Sequence, residues 1–239
     1  MPSALTLAVA QPISVLGDVA ANVTEHARMV GDVDARLILF PELSLTGYGM
    51  DAPAVDPGDP ALGQLVDACA LAGSVALVGA PTRSTDGDQP RISMLRVGGA
   101  GVEVVYDKMN LGGQEPAHFE PGEGPGVIEV DGWRLGLAIC KDNGVPEHAE
   151  VTVTGGIDAY LAGVCESAVD RTVQPRRAAA VVERHGVWVA YASFAGPTGG
   201  GFADTAGRSA IVDPTGAVRL QLGKAPGQIG VTTLTKLGR

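Results

Sequence analysis

Residues 126–140, with the sequence GVIEVDGWRLGLAIC, determine the fold class more than any other stretch of the chain. Two runs of β-forming residues, 126–130 and 133–139, flank Asp131-Gly132, a dipeptide typical of two-residue hairpin turns. The second run ends at Cys140. The pattern therefore predicts an antiparallel hairpin whose second strand places a cysteine at the edge of a sheet. A helix is predicted next, over 146–154, with proline in its first turn.

Predicted strands alternate with predicted helices on both sides of this hairpin. Further strands are predicted at 5–10, 36–40, 75–80, 92–97, 102–106, 159–164, 187–193, 209–212 and 217–222, and helices at 19–30, 61–72 and 172–185. This order mixes β-α-β units with hairpins, which favours an α/β fold with mixed sheets. Since no linker or internal repeat divides the sequence, we expect a single domain over residues 1–239.

The composition excludes several classes of function. The chain has 17 Lys and Arg against 27 Asp and Glu, a net charge of −10, with no basic cluster, so nucleic acid and anionic membranes are not expected partners. No apolar run has the length of about 20 residues that a membrane span needs. Three dispersed cysteines and four dispersed histidines predict no disulfide framework and no metal site, and they favour a cytoplasmic location.

Three residues of complementary chemistry each follow a predicted strand: Cys140, Glu42 and Lys108. A cysteine in this position is either a nucleophile or a buried core residue, and its position alone does not decide between them. The apolar neighbours of Glu42 should raise its carboxyl pKa, as suits a general base. Lys108, or Lys141 beside the cysteine, should lower the thiol pKa. Because open sheets place their sites at strand ends, the three together indicate one catalytic site.

The same residues belong to a series of motifs that resembles the nitrilase superfamily of carbon–nitrogen hydrolases. The resemblance runs in order along nearly the whole chain. Its motifs are Pro41-Glu42-Leu43 with Thr46-Gly47-Tyr48, Tyr106-Asp107-Lys108 with Leu111, Phe119-Glu120-Pro121-Gly122, Gly136 to Cys140 with Asp142, Pro146-Glu147, the segment 158–164, and Gly207-Arg208-Ser209 with Asp213-Pro214 and Gly216.

The resemblance implies a four-layer α-β-β-α sandwich with mixed β-sheets, associated into homodimers or larger homo-oligomers. It also implies a cofactor-free hydrolase that cleaves a non-peptide C–N bond through a cysteine thioester. Glu42 would be the base, Cys140 the nucleophile and Lys108 the oxyanion-binding cation. Glu115 would orient the substrate and support Lys108, and the backbone N–H of Lys141 would bind the oxyanion as well.

Two further residues are candidates for substrate binding because they follow a strand that lines the pocket in this family. They are Cys165 and Glu166. The ordinary alternatives are that Cys165 is a small packing residue and that Glu166 is a loop charge facing solvent.

The chain departs from the family pattern at three positions. Asn110 replaces a common histidine, Lys141 replaces a residue that is commonly Tyr, Trp, Asn or Glu, and Gly144 stands where arginine is frequent. Strict nitrilases tend to have Cys-Trp-Glu, so Cys140-Lys141-Asp142 favours an amidase-type branch acting on a small amide, ureide or carbamoyl compound. Nitrile hydrolysis is the alternative within the fold, and a catalytically idle binding or assembly protein is the alternative of a different class.

Overall fold

The computed structural model describes residues 4–84 and 87–236. The helices are α1 (Val19–Gly31), α2 (Gly63–Ala72), α3 (Pro146–Thr154) and α4 (Val173–His185). The strands are β1 (Ala4–Gln11), β2 (Leu37–Leu39), β3 (Val75–Thr82), β4 (Arg91–Gly98), β5 (Gly101–Asp107), β6 (Gly126–Val130), β7 (Trp133–Ile139), β8 (Ala159–Val164), β9 (Trp188–Ser193), β10 (Ala195–Gly196), β11 (Thr205–Ala206), β12 (Ala210–Val212), β13 (Val218–Gln221) and β14 (Gln228–Thr235).

Twelve of these strands form two six-stranded mixed sheets. The first sheet has the order β14-β1-β2-β3-β4-β5, in which β1, β2 and β3 are parallel and the remaining pairs are antiparallel. The second has the order β13-β12-β9-β8-β7-β6, with β7, β8 and β9 parallel. Both predicted hairpins, β4–β5 and β6–β7, are confirmed. The mixed character of the sheets follows from them.

The two sheets pack face to face, and the helices cover their outer faces. On β2, Leu37 and Leu39 lie in the apolar cluster between the sheets, whereas Ile38 lies in the cluster beneath α1 and α2. This alternation follows from the two-residue period of a strand. On the second sheet α3 packs against β7 and α4 against β9. The predicted α-β-β-α sandwich is therefore confirmed.

Two glycines let the chain after β2 pass close to neighbouring strands. A Cβ atom on Gly79 of β3 would collide with the backbone nitrogen of Leu43, and one on Gly163 of β8 would lie 2.9 Å from the carbonyl oxygen of Phe40. Only glycine leaves room for backbone at such positions. The segment that carries Glu42 is consequently clamped between the two sheets.

The sequence-based assignment missed one long strand. β14 pairs with β1 along its whole length, from Gln228 opposite Gln11 to Thr235 opposite Ala4. Of its side chains only Leu234 is buried, so it lacks the apolar alternation by which a strand is recognised.

The helix predicted over 61–72 begins instead with a 3-10 turn at Pro60–Leu62. No helix in the described ranges is both long and apolar enough to cross a membrane.

A buried histidine ties α1 to the segment that follows Glu42. The ring of His26 lies 2.6 Å from the carbonyl oxygen of Asn22 through Nδ1 and 2.9 Å from Ser44 Oγ through Nε2. Because a carbonyl oxygen only accepts, Nδ1 carries the proton and Nε2 accepts from the Ser44 hydroxyl, which in turn accepts from the Gly79 N–H. The neutral ring is fully satisfied, and protonation of Nε2 would break this chain of hydrogen bonds.

We expect stability to decline as the pH falls from 6.5 toward 4. Burial lowers the pKa of His26 from 6.5 to about 4, so in this window the unfolded chain binds a proton that the folded chain excludes. The shift corresponds to about 3 kcal/mol of unfolding free energy. Urea denaturation at several pH values should show a smaller acid-induced loss in His26→Gln than in wild type. Equal losses would assign the effect to other groups.

Candidate active site

Glu42, Lys108 and Cys140 follow β2, β5 and β7 respectively, and the two sheets bring them to one place. Lys108 Nζ donates to Glu42 Oε1 at 2.6 Å and to the two carboxylate oxygens of Glu115 at 2.7 and 2.8 Å. All four side chains are buried. Buried charges persist only when they are paired and hydrogen-bonded, as this lysine and its two carboxylates are.

Glu115 is held from four directions. Its Oε1 accepts from Lys108 Nζ and from the hydroxyl of Tyr48 at 2.9 Å, while its Oε2 accepts from Lys108 Nζ and from the Gly112 N–H at 2.7 Å. With every lone pair directed at a donor, this carboxylate is suited to fixing the position of the Lys108 ammonium rather than to exchanging protons.

Glu42 differs from Glu115 because one of its oxygens has no partner. Oε1 accepts from Lys108, whereas Oε2 is buried and has no hydrogen-bond partner within residues 4–84 and 87–236. Burial raises the pKa of Glu42; Lys108 acts against this shift and Glu115 adds to it. An unpartnered carboxylate oxygen of raised pKa, on a side chain whose other oxygen binds an ammonium group, is suited to accepting and returning a proton.

Cys140 occupies a strained backbone position. It is the first residue of a 3-10 turn, Cys140–Gly144, and has a φ of +45°, where L-residues other than Asn and Asp rarely lie. Its thiol donates to the carbonyl oxygen of Cys165 at 3.4 Å. Leu43 and Tyr48 also have positive φ, of 51° and 58°. Strain of about 1–3 kcal/mol at each such residue typically accumulates at functional sites.

The expectation that a nearby lysine gives Cys140 a low thiol pKa is wrong. Burial raises the pKa of the thiol, the carboxylate of Glu42 raises it further, and Lys108 only partly opposes them. The resting side chain is therefore a thiol, which needs a base before it can attack. By contrast, the prediction that apolar surroundings raise the carboxyl pKa of Glu42 is confirmed.

A buried polar network fixes the turn that carries Cys140. Asp142 Oδ2 accepts from the Tyr106 hydroxyl at 2.7 Å and from the Ile139 N–H at 3.0 Å, and Oδ1 accepts from the backbone and side-chain N–H groups of Asn110 at 2.8 and 2.9 Å. His148 extends the network through Nε2, 2.7 Å from the Tyr106 oxygen. Asn110, which departs from the family pattern, thus hydrogen-bonds to the turn that carries Cys140.

Lys108, Glu115 and Cys140 open onto a cavity of about 340 Å³. The cavity is lined by Tyr48, Met50, Lys108, Gly112, Gly113, Gln114, Glu115, Cys140, Lys141, Glu166, Arg177, Gly200 and Phe202. Of the predicted substrate-binding residues, Lys141 and Glu166 line it. Cys165 does not, and its side chain is buried.

Arg177 is a cavity residue that the sequence did not indicate. Its Nη1 donates to the carbonyl oxygen of Cys140 at 3.3 Å and to Glu166 Oε1 at 3.2 Å, while Gln174 donates to the same Glu166 oxygen at 2.8 Å. Glu166 is accordingly an ion-paired cavity residue rather than a charge facing solvent. A Cβ on Gly144 would lie 2.4 Å from Arg177 Nε, so the glycine makes room for this guanidinium. The only trace of this arrangement in the sequence is Gly144 itself, at a position where the family commonly has arginine.

The part of the chain that the structure describes contains no group of side chains suited to binding a metal ion. Within residues 4–84 and 87–236, no three His, Cys, Asp or Glu side chains are grouped so that they could hold a metal ion. The cluster around Lys108 instead combines a thiol, a carboxylate with a free oxygen and an ammonium group. This combination allows nucleophilic attack, proton transfer and stabilisation of a developing negative charge at one site.

Comparison with known proteins identifies the family. A model of the carbon-nitrogen hydrolase family matches residues 6–236. "Hydrolase in pqqF 5'region" of Pseudomonas protegens is 31% identical over 193 residues, covering 75% of this chain and 66% of that protein. The glutamine-dependent NAD(+) synthetase of Xanthomonas campestris is 28% identical over 90% of this chain, which spans only 41% of its length.

Among solved structures, a variant of the amidase from Nesterenkonia sp. AN1 is 26% identical with a TM-score of 0.84, covering 97% of this chain and 90% of that one. That structure carries the acetamide moiety of fluoroacetamide covalently added at its active-site cysteine. The match of the family model over almost the whole chain agrees with the motifs and with the sandwich fold. The chain therefore belongs to the carbon-nitrogen hydrolase family, within the nitrilase superfamily that its motifs resemble.

Proposed function

We propose that the protein hydrolyses the C–N bond of a small amide or carbamoyl compound, with Cys140 as nucleophile. The observation that carries this proposal is the buried, unpartnered Oε2 of Glu42. An oxygen that pairs with nothing in the folded protein costs stability, and such a cost is understandable where the oxygen has a proton to accept. Lys108 holds the other oxygen of the same carboxylate at 2.6 Å.

Acylation begins when Glu42 Oε2 takes the proton of the Cys140 thiol. The sulfur then forms a bond to the amide carbon, and the π electrons of the carbonyl move onto its oxygen. Lys108 Nζ and the backbone N–H of Lys141 bind this oxyanion. As the tetrahedral intermediate collapses, the C–N bond breaks and Glu42 gives its proton to the departing ammonia or amine. A thioester on Cys140 remains.

Deacylation uses the same groups, with water as the attacking nucleophile and the Cys140 sulfur as the leaving group. Glu42, again a carboxylate, removes a proton from water, whose oxygen attacks the thioester carbon. Lys108 and the Lys141 N–H bind the second oxyanion. Its collapse breaks the C–S bond, and the thiolate of Cys140 recovers the proton from Glu42. Glu115 takes no proton in this scheme and acts by holding Lys108 in position.

An amide or carbamoyl substrate is favoured over a nitrile by two observations. Cys140 is followed by Lys141 and Asp142 rather than by the Trp-Glu of strict nitrilases. In addition, the Nesterenkonia amidase, which matches 97% of this chain, accommodates the acetamide moiety of fluoroacetamide at its cysteine. The proposed substrate class is therefore small amides and carbamoyl compounds.

Ammonia release from matched pairs of amides and nitriles tests the proposal. Each pair shares one carbon skeleton, so that only the reacting group differs. We expect the amides and carbamoyl compounds to release ammonia faster than the corresponding nitriles. Faster release from nitriles would favour nitrile hydrolysis instead. No release from any compound by the folded protein would favour a binding or assembly role.

A further inference from the structure

We propose that Lys141 binds a carboxylate at the far end of the substrate, so that the amide hydrolysed by this protein is anionic. The inference rests on the proposed function for the reacting end of the molecule and assigns the chemistry of the other end. It is independent of the expected role of the Lys141 backbone N–H, since it concerns the side-chain ammonium group.

The Lys141 side chain is exposed, lines the cavity and is held in place. Its Nζ donates to the carbonyl oxygen of Leu111 at 2.6 Å. Its stem passes over Gly112, where an added Cβ would lie 3.2 Å from Lys141 Cδ. An ammonium group has three donors, and the structure assigns a partner to one of them. Since the stem runs along Gly112, which lines the cavity, we place the ammonium group and its remaining donors near the cavity wall.

Lys141 also differs from the other two cations of the cavity in its charge balance. Lys108 is paired with two carboxylates, those of Glu42 and Glu115, and Arg177 is paired with Glu166. Within the described ranges no carboxylate lies within ion-pair distance of Lys141 Nζ, whose partner is a neutral carbonyl. One uncompensated ammonium group is suited to one monoanion, and a carboxylate accepts two of its hydrogen bonds.

The position of Lys141 separates the anionic end of such a substrate from the catalytic carboxylates. Lys108, Glu42 and Glu115 are buried, and together they carry one excess negative charge when all are ionised. A substrate carboxylate placed among them would be repelled. Lys141, by contrast, is exposed at the rim of the cavity while directly following Cys140. A short substrate with an amide at one end and a carboxylate at the other would keep its carboxylate at this rim, away from Glu42 and Glu115.

The chain's overall charge makes a dedicated cation necessary for such a substrate. With a net charge of −10, the surface as a whole repels small anions. An anionic amide therefore needs a local contact to bind, and the cavity offers that contact at Lys141.

Three primary amides of matched shape test the inference: succinamate, neutral 4-methylpentanamide and cationic β-alaninamide. We expect wild type to have the highest kcat/KM for succinamate. Lys141→Met should lower the ratio of kcat/KM for succinamate over 4-methylpentanamide about 10- to 100-fold, chiefly through KM, as loss of a charge-assisted hydrogen bond implies. Lys141→Glu should shift the preference to β-alaninamide. Lys224→Met, which removes an exposed lysine outside the cavity, should leave the ratio unchanged.

Binding to a Cys140→Ala variant separates this inference from the proposed reaction. By calorimetry, succinamate should bind this variant more tightly than 4-methylpentanamide does, and the difference should vanish when Lys141→Met is added. That result supports the inference even if wild type releases no ammonia, in which case only the proposed reaction fails. Equal or tighter binding of the neutral or cationic amide, or an unchanged preference after Lys141→Met, overturns the inference.

Discussion

Glu42→Gln lowers kcat/KM for amide hydrolysis by about 10³-fold or more if Glu42 is the base of the reaction. The substitution keeps the shape of the side chain and a hydrogen-bonding atom near Lys108, but it removes the oxygen that can accept the thiol proton. Because burial raises the pKa of the Cys140 thiol, the side chain stays protonated unless a base removes its proton. Initial rates of ammonia release at saturating and limiting substrate measure the effect.

The pH dependence of wild type provides a second measurement of the same group. The raised pKa of Glu42 places the acidic limb of kcat/KM above the ordinary carboxyl pKa of about 4.3, with activity lost as the pH falls and the base becomes protonated. The control variant is Glu103→Gln, a surface glutamate paired with Arg96, which should retain full activity. Activity of Glu42→Gln within threefold of wild type would exclude Glu42 as the base.

Lys108→Met should slow hydrolysis strongly and also destabilise the fold. The ammonium group is the expected oxyanion ligand, so kcat should fall by about 10²- to 10³-fold or more. The same group is the ion-pair partner of two buried carboxylates, Glu42 and Glu115. Removing one partner of a buried ion pair typically costs about 3–5 kcal/mol of unfolding free energy. Urea denaturation and ammonia release on one preparation measure both effects.

The stability loss in Lys108→Met should itself depend on pH. Without the lysine, two buried carboxylates face each other, and protonation of one removes the repulsion. The deficit relative to wild type is therefore expected to be larger at pH 8 than at pH 5. Lys224→Met again serves as the control, with wild-type stability and activity expected. A deficit that is the same at both pH values would mean that the lysine acts through packing rather than charge.

The elements that could be predicted from the sequence are those whose burial pattern is local. Strand β8 and helix α3 have the predicted bounds, because each has a uniform run of buried residues or a proline and acidic residues at its start. Strand β14 could not be predicted, because its stability comes from hydrogen bonds to β1, more than 200 residues earlier in the sequence, rather than from its own side chains.

The same distinction applies to the site. Residues at strand ends, such as Glu42, Lys108 and Cys140, could be proposed because strand termination is visible in the sequence. The positive φ of Cys140 and the guanidinium of Arg177 against its carbonyl oxygen could not be proposed, because both depend on how the turn after β7 meets α4. The predicted lowering of the Cys140 thiol pKa is wrong because burial raises this pKa by more than the nearby lysine lowers it.

Alkylation by iodoacetamide followed by peptide mapping determines whether Cys140 is the nucleophile. Loss of ammonia release should parallel carboxamidomethylation of Cys140, with Cys69 and Cys165, which do not line the cavity, left unmodified. An amide substrate added beforehand should slow both processes equally. Complete modification of Cys140 with hydrolysis retained, or complete loss of hydrolysis with Cys140 unmodified, would contradict the account.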